Sequence, residues 1–144
     1  MAGSGKQQQP AASAKQAGGI EMQPAHFPGR APIDAYGNGG FRFADMSHRG
    51  SLLLLPSGIY AWAIDAPGDL SPDAFKAVFG EAGAIEVLLV GTGRDIVPLK
   101  TAWRDAFRAE AISADAMNTG AAVRTYNVLL AEGRAVAAAL IAVD

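Results

Sequence analysis

The sequence predicts one α/β domain of three layers, in which a β-hairpin is followed by alternating helices and strands around a mixed β-sheet. Two apolar runs separated by a short Pro-Ser-Gly segment indicate the hairpin. Apolar stripes of helical period then alternate with buried strand runs, the pattern typical of α/β proteins. With 144 residues, half of them hydrophobic and 18% charged, the chain has the size and composition of one globular domain.

The N-terminal region is predicted to be a tail. Residues 1–32 are rich in Gln, Ala, Gly and Pro, and they offer little apolar area to offset the entropy lost on ordering. We therefore expect residues 1–32 to be disordered or extended and residues 33–144 to form a single α/β domain. Ile33 and Tyr36 are the first side chains expected to anchor it.

Three short strands are predicted in the first half of the domain. Phe41-Arg42-Phe43 alternates apolar and polar side chains, and Ser51–Leu55 and residues 59–64 form the hairpin. The four consecutive leucines of Ser51–Leu55 indicate a strand that is covered on both faces. In the second hairpin strand, Tyr60 and Trp62 share one face.

Helices and strands alternate in the second half. Ser71 and Pro72 are residue types that begin helices, and Phe75 and Val78 start an apolar stripe behind them. The remaining predicted elements are strands over residues 85–90, 112–117 and 136–143, a helix from Pro98, and a helix over residues 119–132 that Gly133 ends. Right-handed crossovers make strands 85–90 and 112–117 parallel within one sheet, so both open toward helix starts at the edge where ligands of α/β sheets bind.

The composition excludes several classes of function. A net charge of −2 lacks the basic excess that nucleic-acid binding requires, and the absence of cysteine excludes disulfides and thiolate metal sites. His26 and His48 are the only histidines, so no metal site and no cofactor are predicted. No apolar run reaches the length of a membrane helix, and the N-terminus lacks the pattern of a secretory signal. We expect a cytoplasmic protein that is not membrane-embedded.

The start of the last helix is the strongest candidate binding site. Asn118-Thr119-Gly120 combines a capping residue with free backbone N–H groups, and Arg124 follows within about one turn. This arrangement is suited to an anion or a carboxylate, although capping by Asn118 with Arg124 in a salt bridge to Asp95 explains the same residues. Asn127, one turn further on, either binds a ligand or ties down a loop.

A second glycine-containing turn follows the buried strand 85–90. Gly91-Thr92-Gly93-Arg94 lacks the Gly-Lys-Ser/Thr of a phosphate-binding loop and the third glycine of a dinucleotide fingerprint. It is therefore either a tight strand-to-helix turn or part of a shared anion site with the Asn118 helix start.

The helix from Pro98 carries a basic face. Lys100, Arg104 and Arg108 recur at helical spacing opposite an apolar stripe. Such a face is either solvated or a surface for a partner protein with acidic patches.

No catalytic constellation accompanies these features. Ser47 and His48 are adjacent but do not face each other for proton transfer, and no pair of acids lies at a spacing suited to acid–base chemistry. We therefore predict no catalytic residues, and the sequence favours a protein that is not an enzyme.

Three segments taken together resemble a known family. They are residues 34–43, Gly91-Thr92-Gly93 and residues 117–129. The resemblance is to the family of mitochondrial complex I assembly factor 3 and the adipogenesis-associated Mth-type proteins, and it covers residues 33–143. It implies a three-layer α/β domain and brings no established catalytic residues.

The resemblance also implies a function through binding. We expect a bacterial, non-enzymatic interaction module that assists assembly of respiratory complex I or of membrane proteins. Its partners would then be complex I assembly or membrane-insertion components. The alternative is a small-molecule or anion-binding α/β protein, or a weak enzyme, that uses the Gly91–Gly93 and Asn118–Arg124 turns.

Overall fold

The structure is a computed structural model that describes residues 27–144, and within this range two sheets and three α-helices form the domain. The strands are β1 (Ala35–Gly37), β2 (Gly40–Phe43), β3 (Met46–Arg49), β4 (Ser51–Leu55), β5 (Gly58–Trp62), β6 (Val87–Gly91), β7 (Ser113–Met117) and β8 (Val136–Leu140). The helices are α1 (Lys76–Gly80), α2 (Thr101–Ala109) and α3 (Thr119–Ala131).

The larger sheet has five strands in the order β5-β4-β8-β6-β7. The β4–β5 hairpin is antiparallel, and β4 also pairs antiparallel with the last strand, β8. β6 lies between β8 and β7 and is parallel to both. The predicted mixed sheet is therefore confirmed, and so is the parallel pairing of the strands around residues 87–91 and 113–117.

The sheet is the middle of three layers. Leu53 and Leu55 face one core with Phe75 and Phe107, which belong to the layer of α1 and α2. Leu52 and Leu54 face the opposite core, which is closed by α3 and the small sheet. The prediction that the leucine run of β4 is covered on both faces is confirmed, because all four leucines are buried.

A three-stranded antiparallel sheet, β1-β2-β3, forms part of the third layer. Alternation in the sequence predicts only its central strand, which sends Phe41 and Phe43 into the core. The turn from β1 to β2 contains Asn38 and Gly39, both at positive φ (53° and 78°). Asn-Gly strongly indicates a tight hairpin turn. The sequence therefore contains a signal for strand β1, which alternation alone does not predict.

The segment before β1 packs along the domain. The Ile59 N–H donates to the Phe27 carbonyl at 3.0 Å, and Ala31 and Ile33 are buried. The Asn127 amide of α3 receives a hydrogen bond from the Ile33 N–H (2.9 Å) and donates one to the Ile33 carbonyl (2.8 Å). Contacts with the domain thus reach back to Phe27. The division between a tail over 1–32 and a domain over 33–144 stays a prediction, and residues 1–26 lie outside the described residues.

Two predicted helices differ from the observed ones at their starts. The helix expected from Pro72 is a 3₁₀ turn over Pro72–Phe75 followed by the short α1, and Ser71 makes no side-chain capping bond. The helix expected from Pro98 begins at Thr101, with Lys100 in extended conformation as its first flanking residue. Pro98 lacks an N–H and restricts the backbone of the residue before it, which favours an extended chain around Pro98. By contrast, α3 begins where the sequence predicts.

Within residues 27–144, no helix is both long enough and apolar enough to cross a membrane.

We predict that Asn127→Ala lowers the free energy of unfolding by about 1–3 kcal/mol, because it leaves the N–H and carbonyl of Ile33 without partners at a part-buried site. Urea denaturation measures the change. Val128→Ala is the matched control on the same helix, since Val128 is exposed, and it should change stability by less than about 0.5 kcal/mol. Equal effects of both substitutions would contradict the assignment of Asn127 as the residue that fastens this segment.

Candidate functional site

The two predicted turns meet at one edge of the five-stranded sheet. Gly91, at the end of β6, is opposite Met117, at the end of β7, and the Thr92 N–H donates to the Met117 carbonyl at 2.8 Å. The turn after β6 and the start of α3 are therefore direct neighbours, as right-handed crossovers between parallel strands require.

Thr119 joins these turns through its backbone and its side chain. The Thr119 N–H donates to the Gly93 carbonyl (2.8 Å), and the Gly93 N–H donates to the Thr119 hydroxyl (3.0 Å). The same hydroxyl donates to the Ile141 carbonyl just beyond β8 (2.7 Å). Since Thr119 is fully buried, these bonds form a fixed junction of three chain segments.

Two glycines permit the close packing at this junction. A Cβ on Gly91 would lie 3.0 Å from the Cα of Thr119 and 3.1 Å from Leu140. A Cβ on Gly120 would collide with the Tyr36 hydroxyl of strand β1. Gly91 is therefore required for the close approach of the Thr119 backbone, whereas a side chain at position 120 would displace the end of the Tyr36 side chain that lies over the first turn of α3.

Asn118 caps α3 as predicted. Its side-chain oxygen accepts a hydrogen bond from the Ala121 N–H at 2.8 Å. The N–H groups of Gly93, Thr119 and Ala121 therefore donate to protein acceptors, and they are among the groups that the predicted anion site would offer to a ligand.

Thr92 fixes the loop between β6 and α2. Its buried hydroxyl donates to the Asp95 carbonyl (2.7 Å) and accepts from the Val97 N–H (2.9 Å). The loop is thereby held with its side chains outward. Arg94 is exposed, and Ile96 is 61% exposed, which is unusual for a large aliphatic side chain in a loop held this firmly.

The two candidate arginines lie at the surface. Arg94 and Arg124 are both exposed, and neither forms an ion pair with any residue of the range 27–144; the alternative of an Arg124–Asp95 salt bridge is not found. The Arg124 guanidinium lies above the first helical turn, 3.6 Å from where a Cβ on Gly120 would be. Asn127, by contrast, has both polar atoms of its side chain engaged with Ile33.

The predicted basic face of α2 is exposed. The Lys100 ammonium lies 5.3 Å from the centroid of the Trp103 ring, and the Arg108 guanidinium is 3.5 Å from the Asp105 carboxylate. Arg104 and Arg108 line a groove of about 350 Å³ beside the start of β7. Arg104 and Arg108 thus lie on α2 and line one concave surface, and Lys100 directly precedes the helix.

The remaining titratable side chains do not form a metal site in the part of the chain that the structure describes. No group of three or more metal-ligating side chains occurs there. The His48 Nε2 lies 3.2 Å from the Ser51 carbonyl, where it supports the turn between β3 and β4. Burial raises the pKa of Tyr126 to about 12, and its hydroxyl donates to the Ala31 carbonyl at 3.3 Å.

Sequence reasoning missed two features of this edge. One is the contact between the Tyr36 hydroxyl and Gly120: Tyr36 is expected to anchor the domain, but its place in strand β1, which the Asn38-Gly39 turn signals, is not predicted. The other is the exposed pair Ile96 and Val97, which stand out as large apolar residues in an otherwise polar loop.

A family model described as a protein of unknown function (DUF498/DUF598) matches residues 33–141. The chain belongs to this family. The DUF498 family model covers the sheet, all three helices and both turns of the candidate site.

Relatives in the DUF498 family include an uncharacterized protein of Rhodobacter capsulatus, 40% identical over 80% of this chain and 87% of its own length. They also include the NADH dehydrogenase [ubiquinone] 1 alpha subcomplex assembly factor 3 of mouse, 30% identical over 85% of this chain. The matched region spans 66% of the length of that mouse protein.

Solved structures confirm the fold. A crystal structure described as an outer membrane protein from Bartonella henselae is 58% identical and superposes with a TM-score of 0.79, covering 83% of this chain and all of that one. The solution structure of a Mth938-like domain from Bordetella pertussis is 27% identical with a TM-score of 0.70, covering 85% of this chain and 91% of that one. The predicted family resemblance and the α/β fold class are both confirmed.

We predict that Thr119→Val lowers the free energy of unfolding by about 2–4 kcal/mol, since it leaves the buried Gly93 N–H and the Ile141 carbonyl without their shared partner. Thr119→Ser keeps the hydroxyl and should recover most of this loss. Thr101→Val, at the exposed start of α2, is the control for the same chemical change. Chemical denaturation of the three variants measures the free energies of unfolding. A Thr119→Val protein as stable as the Thr101→Val control would contradict the claim that the Thr119 hydroxyl stabilises the junction.

Proposed function

We propose that this protein is an interaction module that assists the assembly of respiratory complex I or of membrane proteins. One observation carries the proposal: relatives named as complex I assembly factor 3 align with this chain over most of its domain, at 30% identity for the mouse protein and 32% for the human one. Homologues that share a fold and an alignment of this length commonly retain a related mode of binding, although a fold by itself does not determine function.

The relationship covers the domain and not the whole of those proteins. The match spans 66% of the mouse assembly factor and 59% of the human one. What we propose for this chain is therefore a role for this domain alone, namely the binding of other proteins. The proposed partners are complex I assembly or membrane-insertion components, and we place the interaction on the cytoplasmic side.

The proposed interaction surface is the basic face of α2. Arg104 and Arg108 are exposed on α2, and Lys100 is exposed directly before it. Long cationic side chains of this kind steer acidic partners and set specificity more than they add affinity. The firmly held Ile96 and Val97 lie in the loop that precedes the same helix and add exposed apolar area of the kind found at interfaces.

A second candidate function uses the edge formed by the Gly91–Gly93 and Asn118–Arg124 turns. It is motivated by the two exposed guanidinium groups of Arg94 and Arg124, which form no ion pair among residues 27–144. An anion held there should shift the backbone amide resonances of Arg94, Gly120 and Arg124 during a titration with inorganic phosphate. Unchanged resonances at phosphate concentrations far above the millimolar range would eliminate this candidate.

Affinity capture of the tagged full-length chain from its own cells tests the proposed function. We expect complex I subunits or assembly components to be enriched with the wild type and reduced about tenfold with the double variant Arg104→Glu/Arg108→Glu, because charge reversal repels an acidic partner. Quantitative mass spectrometry of the eluates is the readout.

The double variant Arg94→Glu/Arg124→Glu is the matched control, since it changes the net charge equally at the other edge. It should capture the same partners as the wild type. If the wild type enriches neither complex I components nor insertion machinery, the assembly role is wrong. If only the control variant loses them, the interaction surface lies at the two turns and not on α2.

A further inference from the structure

The two edges of the five-stranded sheet differ. At the β5 edge, the segment at Phe27 forms a bridge to Ile59 and uses the backbone N–H of that residue. At the β7 edge, no strand from the range 27–144 pairs with the outer side. An unpaired edge offers backbone donors and acceptors to a further strand.

The pairing of β7 with β6 determines which backbone groups point outward. The Ser113 N–H donates to the Glu86 carbonyl, and the Met117 carbonyl accepts from the Thr92 N–H. In a parallel ladder, alternate residues of a strand bond to the same neighbour, so Ser113, Asp115 and Met117 bond toward β6. The N–H and carbonyl groups of Ala114 and Ala116 therefore point to the free edge.

A groove lies at the start of β7, on the side of α2. Its volume is about 350 Å³, and it lies between the helix and the first residues of β7. Arg104 and Arg108 form one wall, and Glu86 at one end is engaged by Arg134 at 3.2 Å. The charged residues that line the groove are Arg104, Arg108 and Glu86; Asp105 pairs with Arg108 and Arg134 with Glu86, and Arg104 is in no ion pair among residues 27–144.

The spacing of the two arginines matches an extended chain. Residues four apart on a helix are separated by about 6 Å along its axis, and alternate residues of a strand by about 6.6–6.8 Å. Because α2 connects the parallel strands β6 and β7, it runs roughly antiparallel to both, so its row of arginines follows the direction of the edge. Two carboxylates at positions i and i+2 of an added strand can each meet one arginine.

On the α3 side of β7, an exposed carboxylate disfavours negatively charged side chains of an added strand. Ala114 and Ala116 belong to the core beneath α2, whereas Met117 packs against the core on the α3 side. Asp115 is exposed on that second side, away from the groove. Negative charge is therefore favoured only at those positions of an added strand whose side chains point toward α2. The side chains at the alternate positions point to the side of Asp115.

We propose that the groove between α2 and β7 binds an extended acidic segment of a partner protein as a sixth strand, with carboxylates at alternate positions directed to Arg104 and Arg108. The added strand hydrogen-bonds to the backbone of Ala114 and Ala116. This inference rests on the proposed function and names the binding mode and the chemistry of the partner segment.

Synthetic peptides test the binding mode with the purified full-length protein. The probe is the capped peptide Ser-Val-Glu-Val-Glu-Val-Ser, and its counterpart with both glutamates replaced by lysine is the charge control. We expect the glutamate peptide alone to bind, with amide hydrogen exchange at Ala114 and Ala116 slowed by about tenfold or more at saturation. Arg104→Glu/Arg108→Glu should weaken binding by about tenfold or more, and Arg94→Glu/Arg124→Glu should leave it unchanged.

Ala116→Pro separates strand addition from simple charge attraction. Proline at this position removes only an outward N–H, a substitution that edge strands tolerate, so the thermal unfolding midpoint checks that the fold persists. Loss of peptide binding in a folded Ala116→Pro protein supports strand addition. Unimpaired binding in that variant, equal binding of the lysine peptide, or no binding of the glutamate peptide overturns the proposal. Capture of complex I components from cells tests the proposed function separately. If the components are captured but the peptide does not bind, the proposed function stands and the strand-addition proposal is wrong. If the peptide binds but no components are captured, the proposed function is wrong and the strand-addition proposal stands.

Discussion

The buried hydroxyl of Thr119 is the constraint on which the functional edge of this domain depends. It accepts a hydrogen bond from the turn after β6 and donates one to the chain beyond β8, while the backbone N–H of the same residue binds Gly93. Three segments far apart in sequence are thereby held at one point. Gly91 lacks a Cβ where Thr119 approaches most closely, and Gly120 lacks one beneath Tyr36. The position of α3 relative to β6 and β8 follows from this junction.

The junction also shapes where the protein can bind. At the start of α3, the backbone N–H groups of Thr119 and Ala121 are hydrogen-bonded within the protein, and so is the Gly93 N–H of the neighbouring turn. The edge where the two turns meet is therefore rigid, and its exposed polar groups are the side chains of Arg94 and Arg124. Further accessible polar groups lie on the basic face of α2 and along the outer side of β7. The unpaired outer side of β7, beside the cationic helix α2, is suited to holding a segment of another protein. This agrees with membership in a family whose named relatives include assembly factors.

Much of the fold follows from local patterns in the sequence. Helix α3 begins at Thr119 as predicted, because Asn118 is a strong capping residue, and the leucine run of β4 indicates its two buried faces. Strand order is a global property, and it explains why the free edge at β7 could not be predicted: nothing local states that β8 inserts between β4 and β6. The sequence identified both turns of the candidate site. The hydrogen bond from the Gly93 N–H to the Thr119 hydroxyl depends on side-chain packing, and residue spacing in the sequence does not predict it.

The most direct test of the assembly role is the amount of mature complex I in cells that lack this protein. Native gel electrophoresis with an NADH-oxidation stain measures the assembled enzyme in the deletion strain and in strains complemented with each variant. We predict a marked loss of assembled enzyme on deletion, full restoration by the wild type, and little restoration by Arg104→Glu/Arg108→Glu expressed at the same level. Assembled complex I at the wild-type level in the deletion strain would contradict the assembly role.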